Sequence, residues 1–419
     1  MRWTDTAANP MDEISYQAAR ADELLWRRAR DLGVSRRRLL QWMAMGATSV
    51  VLQSGWAGRP RGAQAASPGD LVLKPTPPEQ FFDYGSNKEM RWEQMYPRGY
   101  VVPNELFFVR NHTRTPRIEA STWRLRVEGS GVQRPLELTY DELLAMPSMS
   151  VLRFIECAGN GRSFFEVAYG KKPQGTQWKL GAVGVAEWTG VPLHAILDRA
   201  GLKRSARDVM PQGLDDLRVR RPMSITKAMA ADTLLVYAMN GAPLPPDHGF
   251  PVRVLAPGWI GVANIKWVGH IEVSEEALYA PWNTDTYVLL GPDYSPTPPT
   301  RGPVLSSQSI KSALELPWNG SLPAGRRLIR GRAWSPFAKI ARVEYSVDQG
   351  KTWQRARLRE PNIPQAWVRW DFDWEAAPGR SVIHARATDE AGHTQPDQVP
   401  WNDQGYLYHA VVGHPVPIA

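Results

Sequence analysis

The chain has 419 residues, of which 43% are hydrophobic and 22% charged, an ordinary globular composition with length enough for two folded domains behind a leader. Its formal net charge is +8, but residues 1–65 contain ten arginines against six acidic residues, so the remainder carries only +4. The arginines of that remainder are scattered, which argues against nucleic-acid binding. Eighteen tryptophans and 36 prolines favour a β-rich, loop-rich protein over a helical bundle.

The first 65 residues have the features of an export signal. Residues 35–40 read SRRRLL, a modest apolar stretch follows over residues 42–56, and Ala63 and Ala65 offer a small-x-small cleavage site. Polar side chains interrupt the apolar stretch too often for a comfortable membrane span. The order of these features resembles a twin-arginine signal, with an amphipathic surface helix as the plainer alternative. The resemblance implies removal of residues 1–65 and a periplasmic protein delivered, already folded, by the twin-arginine export machinery.

The elements that follow begin with an arm and two strands. Residues 66–100 are proline-rich and polar, which predicts an extended arm over the surface of a domain. Residues 105–110 predict a first strand, and residues 123–129 predict a second, because apolar and polar residues alternate there as in a strand with one solvated face. The run TYDE from Thr139 is a capping box, which predicts a short helix over residues 140–145.

The single cysteine, Cys157, lies between an apolar strand-like run and a Gly-Asn-Gly turn. This order places it at a strand end, where its side chain can reach a ligand while Gly159 and Gly161 let the backbone approach closely. A lone thiolate is a soft anionic metal ligand, and Arg153 and Arg162 nearby favour the thiolate over the thiol. The alternative is an inert, buried cysteine that behaves as a small hydrophobe.

Helix and strand patterns then alternate to the end of a first domain. A polar, glycine-rich loop over residues 166–184 carries Trp178. Residues 191–201 predict an amphipathic helix, residues 233–239 predict a buried strand, and residues 267–273 predict a strand that closes the domain.

The second domain begins after residues 291–303, which contain five prolines and two glycines and predict the domain boundary. Strands are predicted beyond it over residues 327–334, 340–347, 352–358, 367–372 and 381–387. Short alternating strands with turns at this spacing predict an immunoglobulin-like β-sandwich, although the cysteine pair of antibody domains is absent. The predicted fold class is therefore α+β and β-rich, with domains over residues 101–295 and 300–419.

Four separated motifs carry a family resemblance. CAGN begins at Cys157, FFVRNH covers residues 107–112, HGFPVR covers residues 248–253 and is followed by Lys266, and Tyr287 stands further along. Together they resemble the sulfite oxidase family of molybdenum enzymes, from about residue 107 onward. The resemblance implies a sulfite-oxidase-type molybdopterin-binding domain over residues 101–295, followed by a sandwich that makes the homodimer contact.

The resemblance also implies a role for each site residue. Cys157 would ligate molybdenum, which the molybdopterin dithiolene also holds. Arg110 and Arg162 would meet the substrate anion, because planar guanidinium groups pair bidentately with its oxygens. Tyr287 would hydrogen-bond the substrate, and Trp178 is either in the substrate pocket or a packed anchor of its loop. The pterin and its phosphate would be held by His112, His248, Arg253 and Lys266.

The sequence departs from the family pattern at two places. The family usually has a further substrate arginine just before the strand predicted over residues 340–347, where this chain has Ala338 and Lys339. A lysine would supply only a point charge, so a different sulfur substrate stays open. The aspartate that usually contacts the pterin has no clear counterpart, and Asp215 and Asp216 are both candidates.

These residues predict molybdenum-dependent oxidation of sulfite to sulfate. The sequence has no CxxCH haem motif, so the electrons would pass to a separate c-type cytochrome, and it has no nucleotide-binding glycine motif. The nearest alternative is the molybdenum subunit of a sulfane dehydrogenase, which oxidises protein-bound sulfane sulfur. A methionine-sulfoxide reductase of the same superfamily would resemble only the first domain. A non-catalytic secreted binding protein would leave the four motifs unexplained.

Overall fold

A computed structural model describes residues 71–95, 98–318 and 320–419. The export signal predicted for residues 1–65 lies outside them. Within the described ranges, no helix combines the length and the apolar composition that a membrane crossing requires.

The N-terminal arm ends in a small sheet. It runs without regular structure from residue 71 and then forms the hairpin of β1 (Phe81–Tyr84) and β2 (Asn87–Met90), which a 3-10 helix at Trp92–Met95 follows. The third strand of this sheet is β3 (Val109–Arg110), which pairs with β2. The prediction of an arm that is extended throughout is therefore wrong from β1 onward.

The strand predicted over residues 105–110 is also shorter than expected. Only β3 at its end is strand, because the amides of Leu106 and Phe107 both donate to the carbonyl of Pro103 and form a turn. The consequence for the site is direct, since Arg110 now ends a two-residue strand that is paired with the arm.

The first domain contains two five-stranded sheets and several short helices. Its strands are β4 (Arg124–Glu128), β5 (Leu136–Thr139), β6 (Met149–Glu156), β7 (Val183–Pro192), β8 (Asp208–Gly213), β9 (Met223–Ser224), β10 (Leu234–Met239), β11 (Ala242–Pro243), β12 (Arg253–Leu255) and β13 (Val268–Ser274). Its helices are α1 (Tyr140–Leu144), α2 (Ser163–Tyr169), α3 (Leu193–Arg199), α4 (Ile225–Ala228) and α5 (Pro281–Thr284), with 3-10 helices at Pro246–His248 and Gly261–Ala263.

The burial of two of these strands follows the patterns predicted from the sequence. One sheet has the order β11-β10-β7-β6, with β12 also paired to β10, and the other has the order β5-β4-β13-β8-β9. β10 is buried along its whole length, and β4 alternates exposed and buried residues, as predicted for both. Thr139 caps α1 with a complete capping box. Helix α3 starts two residues later than predicted, because β7 continues to Pro192.

The second domain is a sandwich of two four-stranded antiparallel sheets, in agreement with the predicted fold class. Its strands are β14 (Lys311–Leu314), β15 (Gly325–Trp334), β16 (Ile340–Ser346), β17 (Gln354–Arg355), β18 (Arg357–Arg359), β19 (Trp367–Ala376), β20 (Gly379–Asp389) and β21 (His414–Ile418). The strand predicted over residues 352–358 is split, because β17 pairs with β16 in one sheet and β18 with β19 in the other. Residues that include Ile329, Val343 and Phe372 fill the space between the sheets.

Polar and aromatic contacts join the two domains and the arm. Arg332 of β15 is 1% exposed, pairs with the carboxylate of Glu315, and donates to the carbonyls of Gly99 at 3.0 Å and Tyr100 at 3.2 Å. Lys311 of β14 pairs with Glu156 at the end of β6 at 2.6 Å. We call the contact made by these two buried ion pairs, Arg332–Glu315 and Lys311–Glu156, the domain junction.

Candidate active site

Cys157 lies directly after the last residue of β6, as the sequence predicts. Its amide donates to the carbonyl of Ala182 at 2.9 Å, and its carbonyl accepts from the amide of Asn160 at 2.9 Å, so the chain turns immediately behind it. Gly161 continues this turn with a φ of +92°, a conformation that a side chain would disfavour. The side chain of Cys157 is 5% exposed and lines a cavity.

The cavity brings together most of the predicted site residues. It encloses about 720 Å³ including its open mouth. The predicted residues that line it are Arg110, His112, Cys157, His248, Arg253, Lys266 and Tyr287. Asp215, one of the two candidate aspartates, also lines the cavity. Residues without a predicted role complete the wall, among them Asn111, Asp247, Asn264 and Trp267. The four motifs, which are far apart in sequence, therefore meet at one place.

Arg110, Tyr287 and His112 form a connected group on one wall. The Arg110 guanidinium donates to the Tyr287 hydroxyl at 3.4 Å, and that hydroxyl lies 3.2 Å from Nε2 of His112. Burial, reinforced by the charges of Arg110 and Lys266, holds the pKa of His112 well below its usual value. The imidazole is therefore neutral at neutral pH, and its Nε2 can accept the hydroxyl proton of Tyr287. Tyr287 has a φ of +55°, which costs backbone strain at a residue other than glycine.

Arg162 lies behind this wall and does not line the cavity. Its guanidinium is 5.1 Å from the ring centre of Tyr406, and the Tyr406 ring stacks on Tyr287 with the ring centres 5.1 Å apart and 14° between the planes. The guanidinium donates to the carbonyls of Gln404 and Thr176, both at 2.8 Å. Arg162 thus supports Tyr287 through Tyr406, and its contact with substrate stays a prediction.

Trp178 is completely buried and also lies outside the cavity wall. Its ring makes edge contacts with Tyr84, with centres 5.7 Å apart, and with Phe108, with centres 6.3 Å apart. This position fits a packed anchor of the loop, the alternative weighed from the sequence. A place in the substrate pocket stays a prediction.

His248, Arg253 and Lys266 form a group of basic side chains whose hydrogen-bond partners are neutral oxygen atoms. Arg253 is 4% exposed and donates to the carbonyls of His248 at 2.9 Å and Asn264 at 3.2 Å. Lys266 donates to the amide oxygen of Asn111 and, at 2.8 Å, to the carbonyl of Asp247.

Burial lowers the pKa of each member of this group. Burial lowers the pKa of Arg253 to about 9. Burial and the charge of Arg253 lower the pKa of Lys266 well below its usual value, and burial with the charges of Lys74 and Lys266 does the same for His248. A bound anion would reverse these shifts, so this part of the cavity is suited to phosphate or another anionic group.

The arm contributes residues that the sequence gave no reason to select. The carboxylate of Asp247 accepts the backbone amides of Leu73 at 2.9 Å and Lys74 at 2.7 Å, and it also accepts the hydroxyl of Thr115. Burial lowers the pKa of Lys74 to about 7 despite the nearby charge of Asp247. The arm thus fixes the 3-10 helix that presents His248. Asp247 could have been found as the neighbour of His248 in its motif, whereas Lys74 lies in a proline-rich run without any pattern.

Of the two candidate aspartates, Asp215 is the one at the cavity. One carboxylate oxygen of Asp215 accepts the amide of Val219 at 3.0 Å. Its other oxygen is buried and has no hydrogen-bond partner among the described residues, and burial raises the pKa of Asp215. Asp216 instead faces the exposed Arg114 at 3.8 Å. Asp215 is therefore the free acceptor of the wall.

The loop that lacks the expected arginine lies away from this wall. Phe337 is 49% exposed and its ring lies over His393 with the ring centres 4.3 Å apart. Lys339 is half-buried, and its carbonyl accepts the amide of Glu390 at 2.9 Å. Neither Ala338 nor Lys339 lines the cavity.

These features fit the molybdenum cofactor that the motifs imply. A soft thiol faces the cavity, cations with neutral partners offer an anion site, and Asp215 leaves one acceptor free for a donor of the pterin. In the described ranges, no group of three or more His, Cys, Asp or Glu residues is arranged to hold a metal ion. The donors present therefore suit a metal that arrives with ligands of its own and takes one from Cys157.

Two family models match the chain. The model described as an oxidoreductase molybdopterin binding domain matches residues 112–282, and the one described as a Mo-co oxidoreductase dimerisation domain matches residues 309–414. Among solved structures, the sulfane dehydrogenase SoxCD from Paracoccus pantotrophus is similar with a TM-score of 0.71 and 26% sequence identity, covering 85% of this chain and 93% of that one.

Sequence relatives agree with these matches. The mitochondrial sulfite oxidase of Mus musculus is 35% identical over 337 residues, which are 76% of this chain and 61% of that protein. The chain thus spans somewhat less than two thirds of the mouse protein. The sulfite oxidase of Gallus gallus is also 35% identical, over 74% of this chain and 71% of that protein. The chain therefore belongs to the sulfite oxidase family of molybdopterin oxidoreductases, whose cofactor is molybdenum bound to molybdopterin.

Proposed function

We propose that this protein oxidises sulfite to sulfate and passes the electrons to a separate c-type cytochrome. The observation that carries the proposal is the position of Arg110, whose guanidinium lies on the same cavity wall as Tyr287 while Cys157 lines the same cavity. A sulfur oxyanion needs such a cation in a largely enclosed pocket, since a charge-assisted hydrogen bond is stronger there than in water. The two sulfite oxidases that resemble the chain support this choice of substrate.

Each group of residues in the cavity has a separate role in the proposed reaction. When bound, the cofactor is held by the Cys157 thiolate and supplies the two-electron oxidant. Arg110 binds and orients the sulfite oxygens through its planar guanidinium. Neutral His112 accepts a hydrogen bond from the Tyr287 hydroxyl and so fixes its direction. The hydroxyl oxygen also accepts a hydrogen bond from Arg110. His248, Arg253 and Lys266 neutralise the anionic end of the pterin, and Asp215 accepts one of its donors.

Protons must leave as the reaction proceeds, because sulfite and water together yield sulfate, two protons and two electrons. The Tyr287 hydroxyl and Nε2 of His112 form a proton path at the wall. Burial depresses the pKa of His112, so its imidazole is neutral and Nε2 is available as the hydrogen-bond acceptor for the Tyr287 hydroxyl in this path.

A second candidate is the oxidation of protein-bound sulfane sulfur. Two observations favour it: the chain shares its fold with the sulfane dehydrogenase SoxCD over 85% of its length, and the loop with Ala338 and Lys339 adds no cation to the cavity wall. A cavity wall with one cation fewer than the family pattern suits a substrate of lower charge than sulfite.

Steady-state reduction of ferricyanide by the molybdenum-loaded protein, titrated with sulfite, tests the proposal. Saturable turnover that disappears in Cys157→Ser is expected. Loaded protein that does not turn over sulfite but oxidises a carrier-bound sulfane sulfur would replace the first candidate with the second. Protein that never acquires molybdenum after export would favour a non-catalytic binding protein, and turnover only as a reductase would favour a methionine-sulfoxide reductase.

The proposal includes export and assembly. We propose that residues 1–65 direct the folded protein to the periplasm, and that the domain matched over residues 309–414 forms a homodimer. Replacing Arg36 and Arg37 with lysine should leave a reporter fused to residues 1–65 in the cytoplasm. Light scattering should give twice the mass of one chain, and a monomer at micromolar concentration would refute the dimer.

A further inference from the structure

The residue before Cys157 carries a completely buried carboxylate. Glu156 accepts three hydrogen bonds, from Nζ of Lys311 at 2.6 Å, from Nε1 of Trp334 at 2.9 Å and from Nδ2 of Asn160 at 2.9 Å. Lys311 and Trp334 belong to the sandwich, whereas Asn160 belongs to the turn that follows Cys157. The carboxylate therefore links the second domain to the residues on either side of the cysteine.

The backbone around Cys157 is held from the same direction. Nζ of Lys311 also donates to the carbonyl of Asn160 at 3.0 Å, and Nε2 of Gln308 donates to the carbonyl of Glu156 at 2.6 Å. The amide oxygen of Asn160 accepts the amide of Ala182 at 3.1 Å, which ties the turn to its own domain. Side chains of the second domain thus reach the chain both before and after the cysteine.

Stability alone does not explain this arrangement. Lys311 is 3% exposed, and removing two charges from water costs about as much free energy as their attraction returns, so an apolar pair of equal size would serve a core as well or better. Buried polar groups fix position more narrowly than apolar packing, because their hydrogen bonds are directional. The position that these bonds fix is that of Cys157, because they hold the residues on both sides of it.

We propose that Lys311 and Glu156 are positioning residues for the Cys157 thiolate, so that the docked second domain sets the direction from which this ligand meets molybdenum. The inference rests on the proposed function only in taking Cys157 as the metal ligand. Groups that orient a metal ligand from behind tune both the affinity of the site and its electronic properties. Lys311 acts from the domain that the family model describes as a dimerisation domain, outside the residues matched as molybdopterin-binding.

A matched pair of variants of the full-length, cofactor-loaded protein tests the proposal. Lys311→Met removes the cation that pairs with Glu156, the residue before Cys157. Arg332→Met removes the other buried cation of the domain junction, which pairs with Glu315 and contacts the arm. The readouts are molybdenum per chain after identical loading, the electron paramagnetic resonance spectrum of the singly reduced metal, and the unfolding temperature.

Both variants should lose unfolding temperature, because each leaves a buried carboxylate without its cation. Only Lys311→Met should also shift the resonance spectrum and weaken molybdenum retention, by about 10- to 100-fold as for other groups behind a metal ligand. Glu156→Gln removes the charge and keeps only one of the two oxygen acceptors, so either Asn160 or Trp334 loses its acceptor. It should shift the spectrum less than Lys311→Met, because Lys311 keeps its bond to the carbonyl of Asn160.

A purely structural role would give a different result. If Lys311→Met lowers the unfolding temperature as Arg332→Met does but keeps the wild-type spectrum and metal content, the proposal is wrong. If Lys311→Met does not fold, Glu156→Gln decides, and a wild-type spectrum in that variant overturns the proposal. If Cys157→Ser keeps the wild-type spectrum, the ligand assignment fails instead, which separates that failure from this one.

Discussion

The cavity and the domain junction both contain buried cations, but the partners of those cations differ. At the junction, Lys311 and Arg332 each meet a buried carboxylate. In the cavity, Arg253 and Lys266 meet only neutral oxygen acceptors, and burial lowers the pKa of each. Buried charges in proteins are normally paired, so buried cations with only neutral partners indicate a site for an anion from outside the chain. The difference shows where the chain compensates its own buried charges and where it is prepared for an anionic ligand.

The largest expected effect separates the cavity from the stability of the fold. Cys157→Ser should abolish turnover, because an alcohol is a poor substitute for a soft thiolate ligand, yet the empty protein should unfold at nearly the wild-type temperature. Ferricyanide reduction and calorimetry of the same preparation measure both. Wild-type turnover in this variant would disprove the metal assignment, and a large drop in unfolding temperature would show that the cavity is also structural.

The second prediction concerns the junction. Arg332→Met should reduce the free energy of unfolding by about 3–5 kcal/mol, because it leaves the Glu315 carboxylate buried without its partner. Turnover per bound molybdenum should stay at the wild-type value. Urea unfolding followed by tryptophan fluorescence gives the first quantity and metal-normalised kinetics the second. A loss of turnover without a loss of stability would show that Arg332 contributes to the active site as well as to the junction.

The third prediction tests the cavity cation nearest the proposed chemistry. Arg110→Lys should lower kcat/KM for sulfite by about 10- to 100-fold, since a hydrogen bond to a charged group contributes about 1.5–3 kcal/mol and lysine cannot reproduce the planar fork. Arg114→Lys is the matched control, because Arg114 is exposed and only loosely paired with Asp216. Equal kinetics in the two variants would remove Arg110 from the substrate site.

The smallest expected effect is a pH dependence of the empty protein. Burial and the charge of Arg253 lower the pKa of Lys266 below the value of 10.5 that it has in the unfolded chain. Between those two pKa values the unfolded chain binds the extra proton, so the free energy of unfolding rises with pH across that window. Relative to Lys266→Met, the empty wild-type protein should therefore gain stability as the pH is raised toward 10.5, measured by thermal unfolding.

Cofactor binding should reduce that pH effect. An anion beside Lys266 raises its folded pKa again, and the loaded protein should show a smaller gain over the same window. If loading leaves the pH dependence unchanged, the anionic end of the cofactor does not reach Lys266.

Local patterns made much of the fold predictable. The capping box at Thr139, the alternation along β4 and the apolar run of β10 each depend on neighbouring residues, and the structure confirms them. The edge strand β21 was not predicted, because two of its five residues are prolines. The change of sheet between β17 and β18 has no signal in the local sequence.

The site was predictable only as far as its motifs reach. Motifs named seven of the residues that line the cavity. They could not show that Arg162 acts through Tyr406 or that Asp247 holds the arm. The junction was beyond the sequence altogether, because Glu156 and Lys311 are 155 residues apart and neither stands out from the surface charges around it.

The parallel pairing of β4 with β13 has a consequence for how the chain folds. Arg126 lies opposite His270, so nearly the whole first domain is a loop that closes when these strands meet. Such distant pairings form slowly, because the entropy of loop closure is lost before the contacts compensate it. Lys266 and Trp267 directly precede β13. Closure of this sheet therefore also brings Lys266 to the cavity wall, and we expect it to be a late step of folding.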